Sequence, residues 1–342
     1  MSVERSLPRL VVTVDTEEEG LWGGRFRAVG NTTQNLRSLP RFQELCDRFD
    51  VRPTYLIDAP VVDDAWAVER LGAWQNDDRC EVGAHCHPWC NPPLNGDADE
   101  RSSYLCNLSE ELQRGKLEWL TETIEARLGR RPTSFRAGRY GLDGLGAMIL
   151  ADLGYLVDSS VIPFTNYSSN GGPNFDGAPA VPYWIGDDLR RPAATGRLRE
   201  VPVTVGYSRC NFEAAHSLRT RAGKRPWSRL RSVGILDRIG IARRIKLSPE
   251  QAAVRDLNRL AGNCIARGAP CLVLMFHSSS LMAGGSTYVR DVEALERFYA
   301  RLEGVFRYCR ERWKLGSATL SECVPSPTQP VSVSTEMLFR GG

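Results

Sequence analysis

The stretch Glu81-Val-Gly-Ala-His-Cys-His-Pro-Trp89 holds two of the four histidines of this 342-residue chain, one residue apart. It starts as a β-strand would, and side chains two residues apart on a strand point to the same face. The imidazoles of His85 and His87 are therefore expected to converge on one point, which suits a metal ion or an anionic substrate. A hydrogen-bonded structural pair at a strand end is the alternative, and the rest of the chain has to decide between them.

Strand-like runs recur along the chain, and most of them end directly in polar residues. The runs are Leu10–Val14, Pro53–Ile57, Cys80–Ala84, Ser134–Arg136, Tyr155–Asp158, Arg199–Val205 and Cys271–Phe276. Helical patterns lie between several of them, and this alternation predicts parallel strands. About seven such strands predict an α/β fold of the distorted (β/α)7-type barrel. The polar groups after the strands should then meet at one barrel mouth; in chain order they are Asp15, Glu17, His85, His87, Arg136, Asp158 and His277.

The helical segments carry recognisable start and stop signals. Leu36–Phe49 has an apolar stripe at helical spacing, Ser109 opens a helix that runs to Leu128, and Leu142–Leu153 forms another. Ser248-Pro249-Glu250 is typical of a capped helix start with proline at the first helical position. It predicts a helix from Ser248 to about Arg267.

One domain is expected to cover residues 1–323, with two excursions from the barrel. The excursion at 162–198 is rich in Gly, Pro, Asn and aromatic residues, and we expect it to form part of the substrate wall. The excursion at 217–246 carries ten basic residues against one acidic residue. The tail at 324–342, which contains Pro and Ser, is expected to be loose.

Composition and charge narrow the class of protein and its partners. The chain is 42% hydrophobic and 25% charged, and its ten cysteines form no CxxC pair. Its start lacks the features of a secretory signal, so we expect a cytoplasmic protein. The net charge is +3, which leaves −6 outside the basic segment 217–246. That segment interleaves apolar and basic residues, which favours peripheral contact with the inner membrane face or a solvated insertion, and no nucleic acid is expected.

Five short motifs in chain order resemble the polysaccharide deacetylase family, the NodB-homology domain. They are Thr13-Val-Asp15-Thr-Glu17, Gly83-Ala-His85-Cys-His87, Arg136-Ala-Gly-Arg-Tyr140-Gly, Asp158 in VDSSV, and Met275-Phe-His277. Their combined form is similar to the WalW-like subgroup, which is associated with cell-surface polysaccharide biosynthesis. The resemblance covers most of residues 8–323 and implies a hydrolase that removes N-acetyl or O-acetyl groups from a glycan or a lipid-linked sugar.

The resemblance also implies a role for each motif residue. Asp15 would be the general base, His277 the general acid, Arg136 the partner that orients Asp15, and Asp158 the residue that tunes His277. Backbone N–H groups near Tyr140 would help to hold the oxyanion. A divalent metal ion, expected to be Zn²⁺, would polarise the acetyl carbonyl. Its protein ligands would be Glu17, His85 and His87.

Two positions depart from the pattern of the family. Familiar members place the metal-binding histidines four apart, but position 89 is Trp89, so His87 has to serve as the second ligand. Thr16 stands where the family has a metal-binding aspartate, which leaves Glu17 or Asp15 as the carboxylate ligand. A degenerate barrel that binds glycan without cleaving it is therefore the alternative. An amidohydrolase, which also has HxH, is disfavoured because an acidic motif precedes this pair.

Overall fold

The computed structural model describes residues 8–224, 232–238 and 240–323. The strands are β1 (Arg9–Thr16), β2 (Thr54–Ile57), β3 (Glu81–Cys86), β4 (Ser134–Ala137), β5 (Val157–Asp158), β6 (Tyr183–Ile185), β7 (Pro192–Ala193), β8 (Arg199–Glu200), β9 (Val205–Tyr207), β10 (Arg244–Lys246), β11 (Cys271–His277) and β12 (Gly316–Ala318). The α-helices are α1 (Leu39–Arg48), α2 (Ala59–Asp63), α3 (Ala65–Asn76), α4 (Glu110–Leu128), α5 (Gly144–Asp152), α6 (Phe212–Gly223), α7 (Ser232–Arg238), α8 (Val254–Ala266) and α9 (Val292–Arg307).

Seven parallel strands form the main path of a ten-stranded sheet in the described residues, and β12 pairs with the start of β1 in parallel; this arrangement confirms the predicted fold class. Their order is β11-β1-β2-β3-β4-β5-β8, and every neighbouring pair is parallel. The two ends of this parallel path, β8 and β11, do not pair with each other as a ladder. Single backbone bonds link β11 to the segments that follow β8 and β10 instead: Thr204 N donates to the Val273 oxygen at 3.2 Å, and Met275 N donates to the Leu247 oxygen at 3.1 Å. Segments of irregular backbone thus close the barrel, and this is why the barrel is distorted.

The alternation of side chains along the strands separates two apolar layers. A small inner cluster contains Val11, Leu56, Val157, Val201 and Val273. A much larger cluster lies between the strands and the surrounding helices. Side chains two residues apart share a face, so the inner row of β1 that starts at Val11 continues to Asp15. The same spacing carries the inner row of β11 from Val273 to His277. Both site residues thus enter the barrel at its carboxyl end.

The helix signals are confirmed except at one start. Ser109 caps α4 through its side chain, and Gly129 ends that helix in the left-handed conformation. The prediction that a helix begins at Ser248 is wrong, because α8 begins at Val254. Leu247 N donates to the Thr204 oxygen at 2.8 Å, which holds the chain before Ser248 to the barrel edge. Glu250 then turns inward instead of taking a place in the first helical turn.

The two predicted excursions have regular structure of their own. In residues 162–198, β6 pairs antiparallel with β7 and with β8 and so extends the sheet. In residues 217–246, α7 and most of α6 lie beside β10, which pairs with β9. Residues 225–231 and 239 and the predicted loose tail lie outside the described residues. Within the described ranges, no helix combines the length and the apolar character that a bilayer span requires.

Candidate active site

Three buried side chains converge where β1 and β3 end. The Glu17 carboxylate oxygen Oε2 lies 3.5 Å from Nε2 of His85 and 3.4 Å from Nε2 of His87. The three residues are almost completely shielded from solvent. β2 lies between β1 and β3 and is parallel to both, so the carboxyl ends of the two strands lie at the same edge. The structure thus brings together the three residues that were predicted to bind the metal.

The surroundings of these three residues fit a divalent cation. His85 Nδ1 donates to the Arg136 carbonyl oxygen at 2.9 Å, and His87 Nδ1 donates to Glu18 Oε2 at 2.8 Å. Nε2 of each imidazole therefore faces Glu17, and it can bind a metal ion once any proton on it is released. Glu17 Oε1 is buried and lacks a hydrogen-bond partner among the described residues. Two imidazoles and one carboxylate are a donor set that Zn²⁺ accepts, with a further position left for water or substrate.

The charge of Glu17 is consistent with this fit. Burial raises the pKa of its carboxyl group, but the nearby His277, His85 and His87 more than offset burial and lower the pKa. Glu17 is therefore ionised at neutral pH. An ionised carboxylate with an unpartnered oxygen, enclosed by imidazoles, favours a cation at this point.

Glu18 is a functional residue that sequence reasoning missed. Its Oε1 accepts from Trp89 Nε1 at 2.7 Å while its Oε2 binds His87, so one carboxylate fixes both residues. Trp89 also stacks on the His87 ring at a centroid distance of 4.3 Å. The side chain of Trp89 thus helps to orient His87, the histidine predicted to bind the metal. Only the run of acids from Glu17 to Glu19 could have indicated it, and such runs are usually solvated.

Asp58 completes the support of His87. Its Oδ2 accepts from the Glu18 backbone N–H at 3.1 Å and lies 3.4 Å from His87 Nδ1. Burial and the neighbouring Glu18 charge raise the pKa of Asp58. Burial alone would lower the pKa of His87, but Glu18 raises it well above its usual range. The two carboxyl groups therefore hold one negative charge beside His87.

Gly138 packs directly against His87, so a side chain at position 138 should disturb the predicted metal site. A Cβ at Gly138 would lie 2.3 Å from His87 Cδ2 and 2.8 Å from the Cys86 carbonyl oxygen. Gly138→Ala is expected to weaken zinc binding by about 10–100-fold, the usual effect of disturbing the support of a ligand. Competition with a chelating dye measures this affinity. The matched control is Gly72→Ala in α3, where the added atom meets only Leu128 Cδ2 at 3.4 Å. Unchanged zinc affinity in Gly138→Ala would count against His87 as a ligand.

Asp15 and Arg136 form a buried ion pair next to the three residues. Arg136 donates from one guanidinium nitrogen to Asp15 Oδ1 at 2.5 Å, and its other nitrogens donate to the Ser159 carbonyl and hydroxyl oxygens at 2.8 and 2.9 Å. Burial raises the pKa of Asp15, but Arg136, with His85 and His277, outweighs burial and lowers the pKa to about 2. Asp15 is therefore held as a carboxylate, the form that can accept a proton.

His277 lies beside Asp15, its register partner on the neighbouring strand, and its hydrogen-bond partner is Glu250. His277 Nε2 lies 3.9 Å from Asp15 Oδ2, and its Nδ1 lies 3.1 Å from both carboxylate oxygens of Glu250. Burial lowers the pKa of His277, but Glu250 and the more distant Glu17 raise it to about 9. Ser280 donates to Glu250 at 2.6 Å and fixes the carboxylate. His277 is thus held as an imidazolium, the form that can donate a proton.

The expected pairing of Asp158 with His277 is therefore wrong. Asp158 accepts from the hydroxyl and the backbone N–H of Ser160 and lies beside Glu200, its register partner on β8. The reason is that side chains alternate between the two faces of the sheet along β5. Val157 belongs to the inner cluster, so the side chain of Asp158 points to the other face. Ser159 is the inward residue and contacts Arg136. A role for Asp158 in the reaction stays a prediction.

The identity of the partner can be tested through the pH dependence of the reaction. Glu250→Gln removes the charge that raises the pKa of His277 most, so protonated His277 is lost at lower pH. We expect the basic limb of the pH–rate profile to move down by about 1–3 pH units. Acetate release measured between pH 5 and 10 gives the profile. Glu296→Gln, which removes an exposed carboxylate, should leave the limb in place. A shift in Asp158→Asn and none in Glu250→Gln would restore the original pairing.

Tyr140 lies beside Asp15 and His277 in a strained turn. Arg139 and Tyr140 both have left-handed backbone conformations, with φ of 55° and 60°. Non-glycine residues adopt such angles at a cost, and strained backbone of this kind clusters at functional sites. Lys246 Nζ donates to the Tyr140 hydroxyl at 3.4 Å. The turn thus places Tyr140 at the mouth, as the oxyanion prediction requires.

One cavity of about 340 Å³ contains the convergence point. It is lined by Asp15, Glu17, Leu21, Trp22, Gly24, Phe26, His85, His87, Trp89, Glu100, Arg139, Tyr140 and His277. Its size lies at the lower end of the range for small-molecule sites. A larger cavity of about 670 Å³ lies elsewhere, between Phe164, Phe212 and His216, and contains none of the motif residues. We place the candidate active site in the smaller cavity because every predicted site residue except Arg136 and Asp158 lines it.

Comparison with known proteins was made at three levels. No protein-family model and no curated protein sequence matches the chain. Among solved structures, a protein of Parabacteroides distasonis with the provisional name glycoside hydrolase/deacetylase has a TM-score of 0.60 at 14% identity, over 94% of this chain and 71% of its own. A provisionally named polysaccharide deacetylase from Mycobacterium smegmatis has a TM-score of 0.45 at 14% identity, over 96% and 98% of the two chains.

A third structure is a family 4 carbohydrate esterase. The enzyme from Streptomyces lividans, in complex with acetate, has a TM-score of 0.41 at 10% identity, over 91% of this chain and 92% of its own. Of these three structures, the Parabacteroides distasonis protein is similar enough to support a conclusion, and at 14% identity that conclusion concerns the fold alone. The chain is thus an α/β protein with the same distorted barrel as that protein.

Proposed function

We propose that this protein is a metal-dependent deacetylase of the polysaccharide deacetylase family that hydrolyses acetyl groups of a glycan. The observation that carries the proposal is the convergence of three groups on one cavity. A cation-binding set (Glu17, His85, His87), an ionised carboxylate (Asp15) and a protonated imidazole (His277) all line it. Amide or ester hydrolysis needs a polarised carbonyl, a base and an acid within reach of one substrate, and this cavity holds candidates for all three.

The residues of the chain divide the proton transfers between them. Asp15, kept ionised by Arg136, takes a proton from the attacking water while the water oxygen bonds to the acetyl carbon. His277, kept protonated by Glu250, gives a proton to the leaving nitrogen as the carbon–nitrogen bond breaks, so acetate and a free amine result. Backbone N–H groups in the turn at Tyr140 face the developing oxyanion. A divalent cation, which we take to be Zn²⁺, would supply Lewis acidity when bound.

The finer assignments rest on the motifs of the sequence. The substrate would be an N-acetylated, or alternatively O-acetylated, glycan or lipid-linked sugar of cell-surface polysaccharide metabolism, as in the WalW-like subgroup. Peripheral contact with the inner membrane face through residues 217–246 belongs to the same proposal, and its cytoplasmic location does too. Sedimentation with vesicles that contain anionic lipid tests the membrane contact.

A barrel that binds glycan without cleaving it is the second candidate. Thr16 and Trp89 occupy positions where the family has metal ligands, and this observation favours it. Glu17 and His87 lie within 3.4 Å of each other and supply the same chemical groups from neighbouring positions. For this reason we prefer the catalytic proposal.

Product analysis on one panel of substrates tests the proposal. The zinc-loaded protein is incubated with N-acetylated sugars and with O-acetylated xylan oligomers, and acetate and free amine are measured separately. Equal amounts of acetate and amine from N-acetylated sugars are the expected result. Acetate from the xylan oligomers alone would assign ester hydrolysis. Binding of these sugars with no acetate from either group would support the non-catalytic candidate.

A further inference from the structure

The cavity at the site is bordered by a strap, which we define as residues 19–33, that follows the first motif directly. Gly20 and Gly24 in the left-handed conformation flank a single turn, Leu21–Gly23, and so bend the strap over the cavity. Leu21, Trp22, Gly24 and Phe26 of the strap line the cavity opposite Arg139 and Tyr140. The strap therefore decides which ligands can reach Asp15 and His277.

Phe26 and Arg139 both line the cavity and pack against each other. The Arg139 guanidinium lies 4.9 Å from the ring of Phe26 and 4.2 Å from the ring of Tyr104, so it is held between two aromatic faces. Arg139 also forms an ion pair with Glu100 at 2.6 Å. Phe26 packs on Trp89 at a centroid distance of 4.9 Å. These contacts join Phe26 of the strap to Arg139, Tyr104 and Trp89.

Trp22 lines the cavity next to His277. The Trp22 ring meets His277 and Tyr288 edge to face, each at 5.1 Å. Trp22 Nε1 donates to the Ser279 hydroxyl at 3.4 Å, which fixes the ring beside the proposed acid. Aromatic faces of this kind are suited to stacking on a sugar ring. Trp22 thus offers a contact to the ring that carries the acetyl group.

An interior sugar of a linear glycan has chain on both sides, so it needs an exit at each end of the cavity. We infer that the Phe26–Arg139–Tyr104 stack blocks one of these exits, so that this site, if the proposed function holds, takes the terminal sugar of a glycan, or a single sugar on a carrier, and excludes interior units. Phe26 and Arg139 would be the residues that set this specificity. The predicted position of deacetylation rests on the proposed function, whereas the predicted binding of a terminal sugar does not.

Binding and product position test this inference separately. Binding is measured by calorimetry on zinc-loaded Asp15→Asn protein with N-acetylglucosamine and its β-1,4-linked oligomers of two, four and six units. We expect the affinity to change less than threefold from two to six units. For the wild-type protein acting on the hexamer, tandem mass spectrometry should locate the first lost acetyl group on a terminal unit.

Opening the stack should relax the selection. Phe26→Ala and Arg139→Gln are each expected to raise the share of interior deacetylation on the hexamer at least fivefold. Val29→Ala, an exposed position of the same strap, is the matched control and should leave that share unchanged. The inference is overturned if wild-type protein removes interior acetyl groups, if affinity rises stepwise through six units, or if no member of the series binds. Constant affinity with no acetate release would instead refute the proposed reaction and leave the terminal-unit pocket standing.

Discussion

Replacement of Asp15 by asparagine is expected to reduce acetate release by about 10²–10⁴-fold, the usual contribution of a general base. Asparagine keeps the size of the side chain and an oxygen that accepts from Arg136, so the barrel should keep its fold. It cannot take a proton from water. Steady-state acetate release with circular dichroism and zinc content on the same sample measures the effect.

The controls for Asp15→Asn separate loss of chemistry from loss of structure. Asp50→Asn changes an exposed carboxylate that pairs with Arg310 at 2.7 Å, and it should leave turnover unchanged. Zinc content of Asp15→Asn should stay at the wild-type value because Glu17 is the carboxylate that faces the Nε2 atoms of both histidines. Near-normal turnover in Asp15→Asn would rule out its role as the base. Loss of zinc together with turnover would instead make Asp15 a ligand.

Loss of zinc binding is the expected result for His85→Ala and for His87→Ala. Each change removes one of the three predicted donors, Glu17, His85 and His87, and a two-donor site holds Zn²⁺ weakly. Retained zinc after dialysis against a weak chelator, measured by inductively coupled plasma mass spectrometry, should fall from one equivalent to below a tenth. Turnover should fall with it.

His216→Ala is the matched control for this pair. His216 contacts Tyr207 and Asp176 at 2.8 Å each and lies at the larger cavity, away from the motif residues. Zinc content should not change in this variant. If His85→Ala and His87→Ala both retain one equivalent, the pair is structural and the hydrogen-bonded interpretation of the HxH stretch is correct.

The sequence predicted those parts of the fold and site that follow from local periodicity. Alternation along β1 and β3 placed Asp15 with Glu17, and His85 with His87, on shared faces, and parallel pairing brought the strand ends together. A strand of two residues such as β5 shows too little alternation to tell which of its side chains point into the barrel. The sequence therefore predicts Asp158 at the barrel mouth, although the residue that points inward is Ser159, one position later.

Glu250 could not be found from local signals, because its sequence context favours a different role. Ser-Pro-Glu is a strong helix start, and only the hydrogen bonds that Leu247 forms across the barrel edges turn Glu250 towards His277. Glu18 escaped notice for a similar reason, since its partners Trp89 and Asp58 are far away in the chain. Long-range contacts thus decide the residues that support the site.

A zinc titration of metal-stripped protein tests the central claim most directly. Acetate release from an N-acetylated sugar is followed while Zn²⁺ is added from zero to three equivalents. The proposed site predicts that activity rises linearly and stops rising at one equivalent, and that His87→Ala shows no such rise. Acetate release that is equally fast in stripped and zinc-loaded protein would contradict the proposed metal-dependent deacetylase.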